Sequence, residues 1–345
     1  MRVAGLSKDF VVIGENIHCT RVLLRQGKRV GHSPSGVESV RYPGGDGAEQ
    51  YLPIPDWCKT GQDYAEGRVK HVQIALKAAM SGAAAEAAEG MSYLRYLVAR
   101  QEAAGADYLD LNVDEISLRP QEQIDAMAWL VHCVQGMSQL PVAIDSSNVE
   151  TIAAGLRASR AGAAPPMLNS ASLERADALE LARELGGPVV VTAAGEKGMP
   201  QNDDERVANA SRLVDAALAM GIELPLLYID PLVFPVSVDV EFGNHCLDAI
   251  RRLRQRYGEA IHITGGLSNV SFGVPCRGLL NDAFIRLATE AGADSGIIDP
   301  VASELGRVFT QDRSAAPVRL AEDVLLGRDR NCKNFLRAYR KGELG

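Results

Sequence analysis

Eight short segments of the chain are rich in apolar and β-branched residues and end in polar or small residues. From the second onward they begin roughly 23 to 37 residues apart, which leaves room for a helix between successive parallel strands. Short apolar runs of this kind are typical of strands that are buried on both faces. The predicted strands are residues 11–16, 108–114, 141–148, 166–170, 189–196, 226–232, 261–271 and 295–301.

Helical spacing fills the intervals between these strands. After Pro120, the apolar residues Ile124, Met127, Val131 and Val134 fall on one stripe, and proline suits the first turn of a helix. Eight strand–helix units predict a closed (β/α)8 TIM barrel of the α/β class. An open doubly wound sheet is the main competitor, but the chain has no G-x-G-x-x-G fingerprint, which favours the barrel.

One long interval departs from this spacing. Residues 20–63 follow the first strand and are rich in glycine, proline and arginine, which predicts a βα-loop insertion with its own turns or a hairpin. Because βα loops lie on the active face of a barrel, the insertion could form a lid or a docking surface. It could equally pack on the rim alone. We predict a single barrel domain over residues 1–345 that carries this insertion.

Two further stretches have a helical composition. The alanine-rich region from Tyr64 to Gly105 predicts a long helix, broken either at Ser81-Gly82 or at Gly90. Residues 328–345 form a basic C-terminal helix or tail with a few apolar side chains at helical spacing. Such a segment could dock an acidic partner, or it could be a solvated helix with one packed face.

Composition excludes some function classes. The net charge is −8 and the pI is about 5.4, so binding to nucleic acid through a basic face is not expected. The six cysteines form no metal-ligand spacing, and no apolar signal core or membrane-length apolar run is present. We expect a cytoplasmic protein with free thiols, without a membrane or nucleic-acid partner and without a bound metal.

Carboxylates and amides stand at the C-terminal ends of most of the predicted strands. In a barrel these ends meet at one mouth, where site residues lie. A single acidic strand end often only caps the next helix, as one residue of 146–148 is expected to do. Acids and amides without clustered lysines suit a planar heterocycle with N–H donors, such as a pterin. The strand-end residues are Glu15, Asn16, Asp110, Asn112, Asp114, Asp145, Asn169, Asp230, Asn269 and Asp299.

Four ordered motifs carry a resemblance to a known family. They are I-D-S-S-N (144–148), L-N-S (168–170), Y-I-D-P-L (228–232) and G-L-S-N-V-S-F-G (266–273). I-G-E-N (13–16) and L-D-L-N (109–112) extend the match, which covers roughly residues 11–301 apart from 20–63. Together they resemble the pterin-binding methyltransferases. This family includes methyltetrahydrofolate:corrinoid protein methyltransferases and the folate domain of cobalamin-dependent methionine synthase.

The resemblance implies a role for each matched residue. Asp145, Asn169 and Asp230 match residues that hold the pterin ring, and Gly266 matches a glycine that lets the backbone approach it. Asn269 matches the asparagine near N5, the methyl-bearing nitrogen, and is the expected catalytic residue.

Four other residues are candidates for folate binding. Arg277 matches an arginine suited to the aminobenzoate-glutamate tail of the folate, although it could pair with a loop acid instead. Glu15, Asp110 and Asn112 lie in the two motifs that extend the match to the first strands.

The resemblance also implies the reaction, which belongs to one-carbon metabolism. A methyl group moves between methyltetrahydrofolate and the cobalt of a corrinoid (cobalamin). The corrinoid would be carried by a partner protein, because this chain has no D-x-H-x-x-G corrinoid-binding motif. Asn269 would orient N5 and form a hydrogen bond that strengthens in the transition state. Relatives are commonly homodimers.

Two features depart from the family and leave rival interpretations open. The 20–63 insertion and the acidic pair Asp114-Glu115 are not common in it. Dihydropteroate synthase shares the barrel and the pterin site, but its T-P-D-S-F-S-D-G-G loop is absent here. A non-catalytic pterin-binding subunit of a demethylase system is the other rival. The adjacent pairs of histidine and cysteine, including His18-Cys19, are interpreted as packing residues.

Overall fold

A computed structural model describes residues 9–45, 47–160 and 164–344. Within these residues the strands and helices alternate along most of the chain. The strands are β1 (Val11–His18), β2 (Leu23–Leu24), β3 (Val30–His32), β4 (Glu38–Pro43), β5 (Glu49–Pro53), β6 (Arg68–Val69), β7 (Tyr108–Asn112), β8 (Val142–Asp145), β9 (Met167–Ala171), β10 (Val189–Thr192), β11 (Leu227–Asp230), β12 (His262–Ile263) and β13 (Ser295–Ile298).

The α-helices mostly follow the strands, as the apolar stripes predict. No helix among the described residues is long and apolar enough to cross a membrane. The helices are α1 (Asp56–Lys59), α2 (Gln62–Ala65), α3 (His71–Ala79), α4 (Ala84–Ala103), α5 (Pro120–Gln135), α6 (Val149–Ala158), α7 (Ala178–Leu185), α8 (Asp203–Ala219), α9 (Phe242–Tyr257), α10 (Arg277–Ala291), α11 (Leu305–Thr310), α12 (Ala316–Leu325) and α13 (Lys333–Arg340).

Eight strands form one sheet in the order β12-β11-β10-β9-β8-β7-β1-β13. Neighbouring strands in this sheet pair in parallel, for example with Val189 opposite Leu227. The two end strands also meet: Asp294 N donates to Ile263 O at 3.2 Å and Ile297 N donates to Gly265 O at 2.9 Å. This closure confirms the predicted (β/α)8 barrel and excludes the open sheet.

By their internal contacts the residues divide into two compact units. The first unit holds residues 1–14, 104–107 and 167–345, and the second holds 15–103 and 108–166. Each has its own apolar core of strand and helix side chains. Strands β10 and β13 of the first unit are buried along their whole length, which explains the run of three valines in β10.

The seventh predicted strand is much shorter than expected. The sequence predicts a strand over 261–271, but β12 spans only His262–Ile263. Gly265 then adopts a φ of +157°, and residues Leu267–Ser271 form a 3-10 helix. The paired glycines therefore end the strand early and start a tight turn that carries Asn269.

The 20–63 insertion folds as a small antiparallel sheet in the second unit. Strands β3, β4 and β5 pair in sequence, and β2 pairs with β6. The Tyr42 ring of β4 lies 4.8 Å from Tyr93 and 5.3 Å from Tyr96 of α4, centroid to centroid. Arg29 donates to the Tyr93 hydroxyl at 2.6 Å. Aromatic and hydrogen-bonding contacts thus fix this sheet on α4.

The terminal segment of the first unit is helical from Lys333 to Arg340. Phe335 is fully buried, whereas Tyr339 is about half exposed. The Asp329 carboxylate accepts hydrogen bonds from the backbone N–H groups of Asn334 and Phe335 and so begins the helix. One face of α13 is therefore packed, and its basic residues lie mostly on the other.

The alanine-rich region breaks at residues 80–83, as predicted for Ser81-Gly82, and Gly90 lies inside α4. A Cβ at Gly90 would stand 2.3 Å from Ala79 N and 2.5 Å from Ala75 O. Glycine is needed there because α3 and α4 approach each other backbone to backbone.

Gly90→Ala is therefore expected to lower the free energy of unfolding by about 2–3 kcal/mol, because the two helices must separate. Gly82→Ala is the matched control, since no atom lies within 4 Å of a Cβ at that position. It should change stability by less than about 1 kcal/mol. Urea unfolding of both variants measures the difference, and equal stabilities would contradict the proposed helix contact.

Candidate active site at the strand ends

Four polar side chains of the second unit meet at the ends of β1, β7 and β8. His18 Nε2 lies 3.0 Å from Asp110 Oδ2, and Asn112 Nδ2 donates to Asp145 Oδ2 at 2.9 Å. The parallel register places Asn112 opposite Asp145. We call His18, Asp110, Asn112 and Asp145 the acid cluster. It brings together three residues that the sequence singled out and one that it did not.

The acid cluster holds two carboxylates in a place with little water. Asp110 is fully buried, and burial is the main reason that the pKa of Asp145 rises to about 7. The negative charge of Asp110 raises it further, while the charge of His18 and the Asn112 hydrogen bond oppose the rise. Asp145 therefore needs additional hydrogen-bond donors to remain ionised at neutral pH.

His18 carries the compensating charge. Burial by itself lowers the pKa of His18, but the hydrogen bond and the charge of Asp110 outweigh burial, so the pKa is raised. The interpretation of His18 as a packing residue is wrong, because its ring contacts a carboxylate. A strand-end position two residues after Asn16 was the only sequence signal that could have identified it.

The acid cluster also contains atoms of the kind that bind metal ions. Ligand-type atoms of His18, Asp110 and Asp145 lie within 4.8 Å of one another. The hydrogen bond between His18 and Asp110 already uses one such atom of each residue. In this structure the three residues form a hydrogen-bonded charge cluster, and the absence of a bound metal stays a prediction.

Two other acidic strand ends of the second unit have structural partners. Glu15 is 3.2 Å from Arg21 in an ion pair. Asp114 accepts hydrogen bonds from the Ser146 hydroxyl and from Ser147 N. The next helix, α6, is capped by Asn148, whose side chain accepts from Glu150 N at 2.8 Å.

In the first unit, Asp230 ends β11 and is also withdrawn from water. Its Oδ1 accepts from Leu232 N at 2.7 Å, and the backbone of Gly266 also bonds to this carboxylate. Burial raises the pKa of Asp230 to about 6, although the two backbone bonds and the charge of Arg206 oppose the rise.

The backbone beside Asp230 is held by a buried arginine. Arg206 is fully buried, and its guanidinium stacks 4.8 Å above the Phe234 ring. Its Nε donates to Leu232 O at 3.3 Å. Leu232 has a φ of +67°, which is unfavourable for a leucine. Arg206 therefore stabilises the strained turn whose N–H orients Asp230.

The turn over residues 265–271, here called the Asn269 turn, has two glycines with little space for a side chain. A Cβ at Gly265 would lie 3.1 Å from Asp230 Oδ1, and one at Gly266 would lie 2.8 Å from Asn269 Nδ2. The Asn269 amide therefore lies directly over Gly266. The Asn269 side chain is half-buried.

Arg277 begins α10 and reaches back to the Asn269 turn. Its Nε donates to Ser271 Oγ and its Nη2 to Ser268 O, both at 3.0 Å. The guanidinium carbon also lies 4.2 Å from the centroid of the exposed Phe272 ring. Arg277 thus contacts residues on both sides of Asn269.

Asn169 lies in the middle of β9, is 7% exposed, and is paired in register with Val190 of β10. The site residues predicted from sequence thus fall into two sets. Asp110, Asn112 and Asp145 are in contact within the second unit. Asp230, Gly266 and Asn269 come together within the first, with Arg277 against the same turn.

Replacing Asp145 tests the electrostatic strain in the acid cluster. At pH 8, Asp145→Asn is expected to raise the free energy of unfolding by about 1–2 kcal/mol, because an amide carries no charge to desolvate. Below pH 3.8, the pKa of this carboxyl in the unfolded chain, the gain in stability vanishes. The carboxyl is then protonated in both the folded and the unfolded state. The gain grows as pH rises from there to about 7.

Urea unfolding across this pH range measures the effect. Asp125→Asn, on the exposed face of α5, is the matched control and should show no pH-dependent gain. A gain that is largest at acidic pH would contradict the account of Asp145.

Comparison with known proteins agrees with the fold and the motifs. The sequence model of the pterin binding enzyme family matches residues 88–299. The chain is 29% identical over 260 residues to the methylcorrinoid:tetrahydrofolate methyltransferase of Eubacterium limosum. The match covers 74% of this chain and 89% of that protein.

Solved structures of dihydropteroate synthases share the fold. The enzyme from Xanthomonas albilineans has a TM-score of 0.50 at 21% identity, covering 62% of this chain and 82% of that chain. The enzyme from Yersinia pestis has a TM-score of 0.50 at 18% identity, and the match covers 64% of this chain and 86% of that chain. Such identities show only a common barrel. The family match, which spans more than half of the sequence and includes the ends of β7 to β13, shows that this chain belongs to the pterin binding enzymes.

Proposed function

We propose that this protein is a methyltransferase that moves the N5-methyl group between methyltetrahydrofolate and the cobalt of a corrinoid protein. The observation that carries the proposal is the Asn269 amide, which the turn holds over Gly266. The family membership and the name of the Eubacterium limosum relative support the same reaction class.

The two buried acids suit the nitrogen-rich edge of a pterin. A pterin presents N3–H and a 2-amino group side by side, which can donate to one carboxylate as a bidentate pair. We assign this recognition to Asp145, Asn169 and Asp230, the residues that match the pterin-holding positions of the family. Because donors to a carboxylate favour its charged form, bound pterin would lower the raised pKa values of both acids. Asp110 and Asn112 position Asp145, and Glu15 is a further candidate for contact with folate.

Asn269 would act on N5 without serving as an acid. When the N5–CH3 bond breaks toward cobalt, N5 keeps the electron pair and must receive a proton. The Asn269 Oδ1 atom can accept a hydrogen bond from protonated N5, and this bond strengthens as N5 takes up the proton. In the opposite direction the same bond holds the N5–H group while its lone pair attacks the methyl group. The side chain therefore orients N5 and stabilises the transition state.

The corrinoid would be brought to the folate by a separate protein, since the chain lacks its own corrinoid-binding motif. We propose that the protein works as a homodimer, as its family relatives commonly do. We also propose a cytoplasmic location, which the six unpaired cysteines support.

The central assay mixes a Co(I) corrinoid protein with methyltetrahydrofolate and follows methyl-Co(III) by its visible absorption. Methyl-Co(III) is expected only when this chain is present. Folate binding without turnover would favour a non-catalytic binding subunit. Condensation of a pterin pyrophosphate with p-aminobenzoate would favour a dihydropteroate synthase and contradict the proposal.

Asn269→Ala is expected to lower the single-turnover rate of methyl transfer by about 100-fold or more, because a hydrogen bond formed in the transition state is lost. The dissociation constant for methyltetrahydrofolate should change much less. Asn334→Ala, at an exposed position of α13, is the matched control and should keep the wild-type rate. A full single-turnover rate in Asn269→Ala would remove this residue from the mechanism.

Arg277→Gln tests the contact with the folate tail. We expect KM for methyltetrahydrofolate to rise about tenfold, since a charge-assisted hydrogen bond to the glutamate carboxylate is lost. A methylated pterin without the tail should show an unchanged KM. If both substrates instead lose rate equally, Arg277 acts by bracing the Asn269 turn through Ser268 and Ser271.

A further inference from the structure

The acid cluster places two carboxylates close together. Asp110 and Asp145 lie on neighbouring strands of the second unit, and the Asn112 amide donates to Asp145. Two ionised carboxylates in such a place repel each other strongly. One cation beside the two carboxylates would reduce their combined net charge to that of a single carboxylate.

His18 is placed by the backbone to supply that charge. Cys19 N donates to Asn112 O at 2.9 Å, which aligns the end of β1 with the end of β7. The imidazole then meets Asp110 at 3.0 Å and is only 13% exposed. The position is therefore built into the strand alignment and does not depend on a mobile loop.

The charged groups that act on His18 are acidic. Glu15, Asp110 and Asp145 all act on His18 as negative charges. Glu15 is paired with Arg21, and Asp114, which also acts on Asp145, is bound to Ser146 and Ser147. His18 is the cation that acts most strongly on Asp145.

We propose that His18 is a positioning residue for the folate, and this inference rests on the proposed function. Its imidazolium neutralises Asp110, so that Asp145 can stand beside Asp110 as a carboxylate and accept the N–H edge of the pterin. His18 does not touch the reacting N5 in this account. It determines at which pH the protein is ready to bind a pterin.

The charge balance gives the sign of the pH dependence. As the pH falls, Asp145 takes up a proton and can no longer accept two N–H donors, so folate affinity drops. Without the imidazolium, the unscreened charge of Asp110 would make Asp145 hold its proton to a higher pH. Without Asp110 as well, that repulsion is absent and the imidazolium is no longer needed.

The experiment measures the dissociation constant of methyltetrahydrofolate by calorimetry from pH 5.5 to 8.5. The acidic midpoint of the binding curve is expected to move upward by about one pH unit in His18→Asn, which weakens binding about tenfold at pH 7. The double variant His18→Asn/Asp110→Asn should return close to the wild-type midpoint. His132→Asn is the matched control, because His132 is exposed on α5 and bonded to Ala128 O.

Three outcomes would overturn the inference. Equal loss of affinity at every pH, with no recovery in the double variant, would mean that His18 only packs. A wild-type midpoint in His18→Asn would mean that another group compensates Asp110. Binding that disappears with a chelator and returns with added Zn²⁺ would assign His18, Asp110 and Asp145 to a metal instead.

Two readouts separate these outcomes from other failures. If wild-type protein does not bind methyltetrahydrofolate at any pH, the proposed function fails and not only the role of His18. If His18→Asn folds poorly, the NMR chemical shifts of the His18 ring nitrogens are measured in wild-type protein instead of the binding curve of the variant. A neutral imidazole at pH 7 would overturn the inference, and an imidazolium supports it.

Discussion

The structure depends on carboxylates that are held out of water at the ends of barrel strands. Burial raises the pKa of Asp145 to about 7 and that of Asp230 to about 6. Each acid has some hydrogen-bond donors, but too few to bring its pKa back to the usual range. Such groups destabilise the fold at neutral pH, so their retention fits a ligand that brings its own N–H donors.

The surroundings of each acid are arranged to keep it ready for such a ligand. In the first unit, Arg206 fixes the strained backbone of Leu232, whose N–H points at Asp230. Gly265 and Gly266 leave room for the Asp230 carboxylate and for the Asn269 amide. In the second unit, Asn112 and His18 serve Asp145 in a similar way, one through a hydrogen bond and the other through charge. In each unit the acid is thus positioned by neighbouring residues.

The sequence predicts the barrel well because its strands are buried on both faces and their polar ends recur at regular spacing. It also places Asp145 and Asp230 at the ends of strands, since each follows an apolar run directly. His18 was missed because a histidine next to a cysteine gives no sign of which strand lies beside it. Only the alignment of β1 with β7 shows that Asp110 is its partner.

The short β12 and the insertion were harder to predict for related reasons. Paired glycines end a strand where the next turn needs space. Here the Asp230 and Asn269 side chains occupy the space beside the two glycines. The sheet of the insertion is fixed by Tyr42 and Arg29 on α4, contacts that connect distant parts of the sequence.

A crystal structure with bound methyltetrahydrofolate tests the central claim most directly. The account predicts the pterin edge on the Asp145 and Asp230 carboxylates and the Asn169 amide, with N5 within hydrogen-bond distance of the Asn269 amide. A folate bound elsewhere, or these four side chains directed away from the ring, would contradict it.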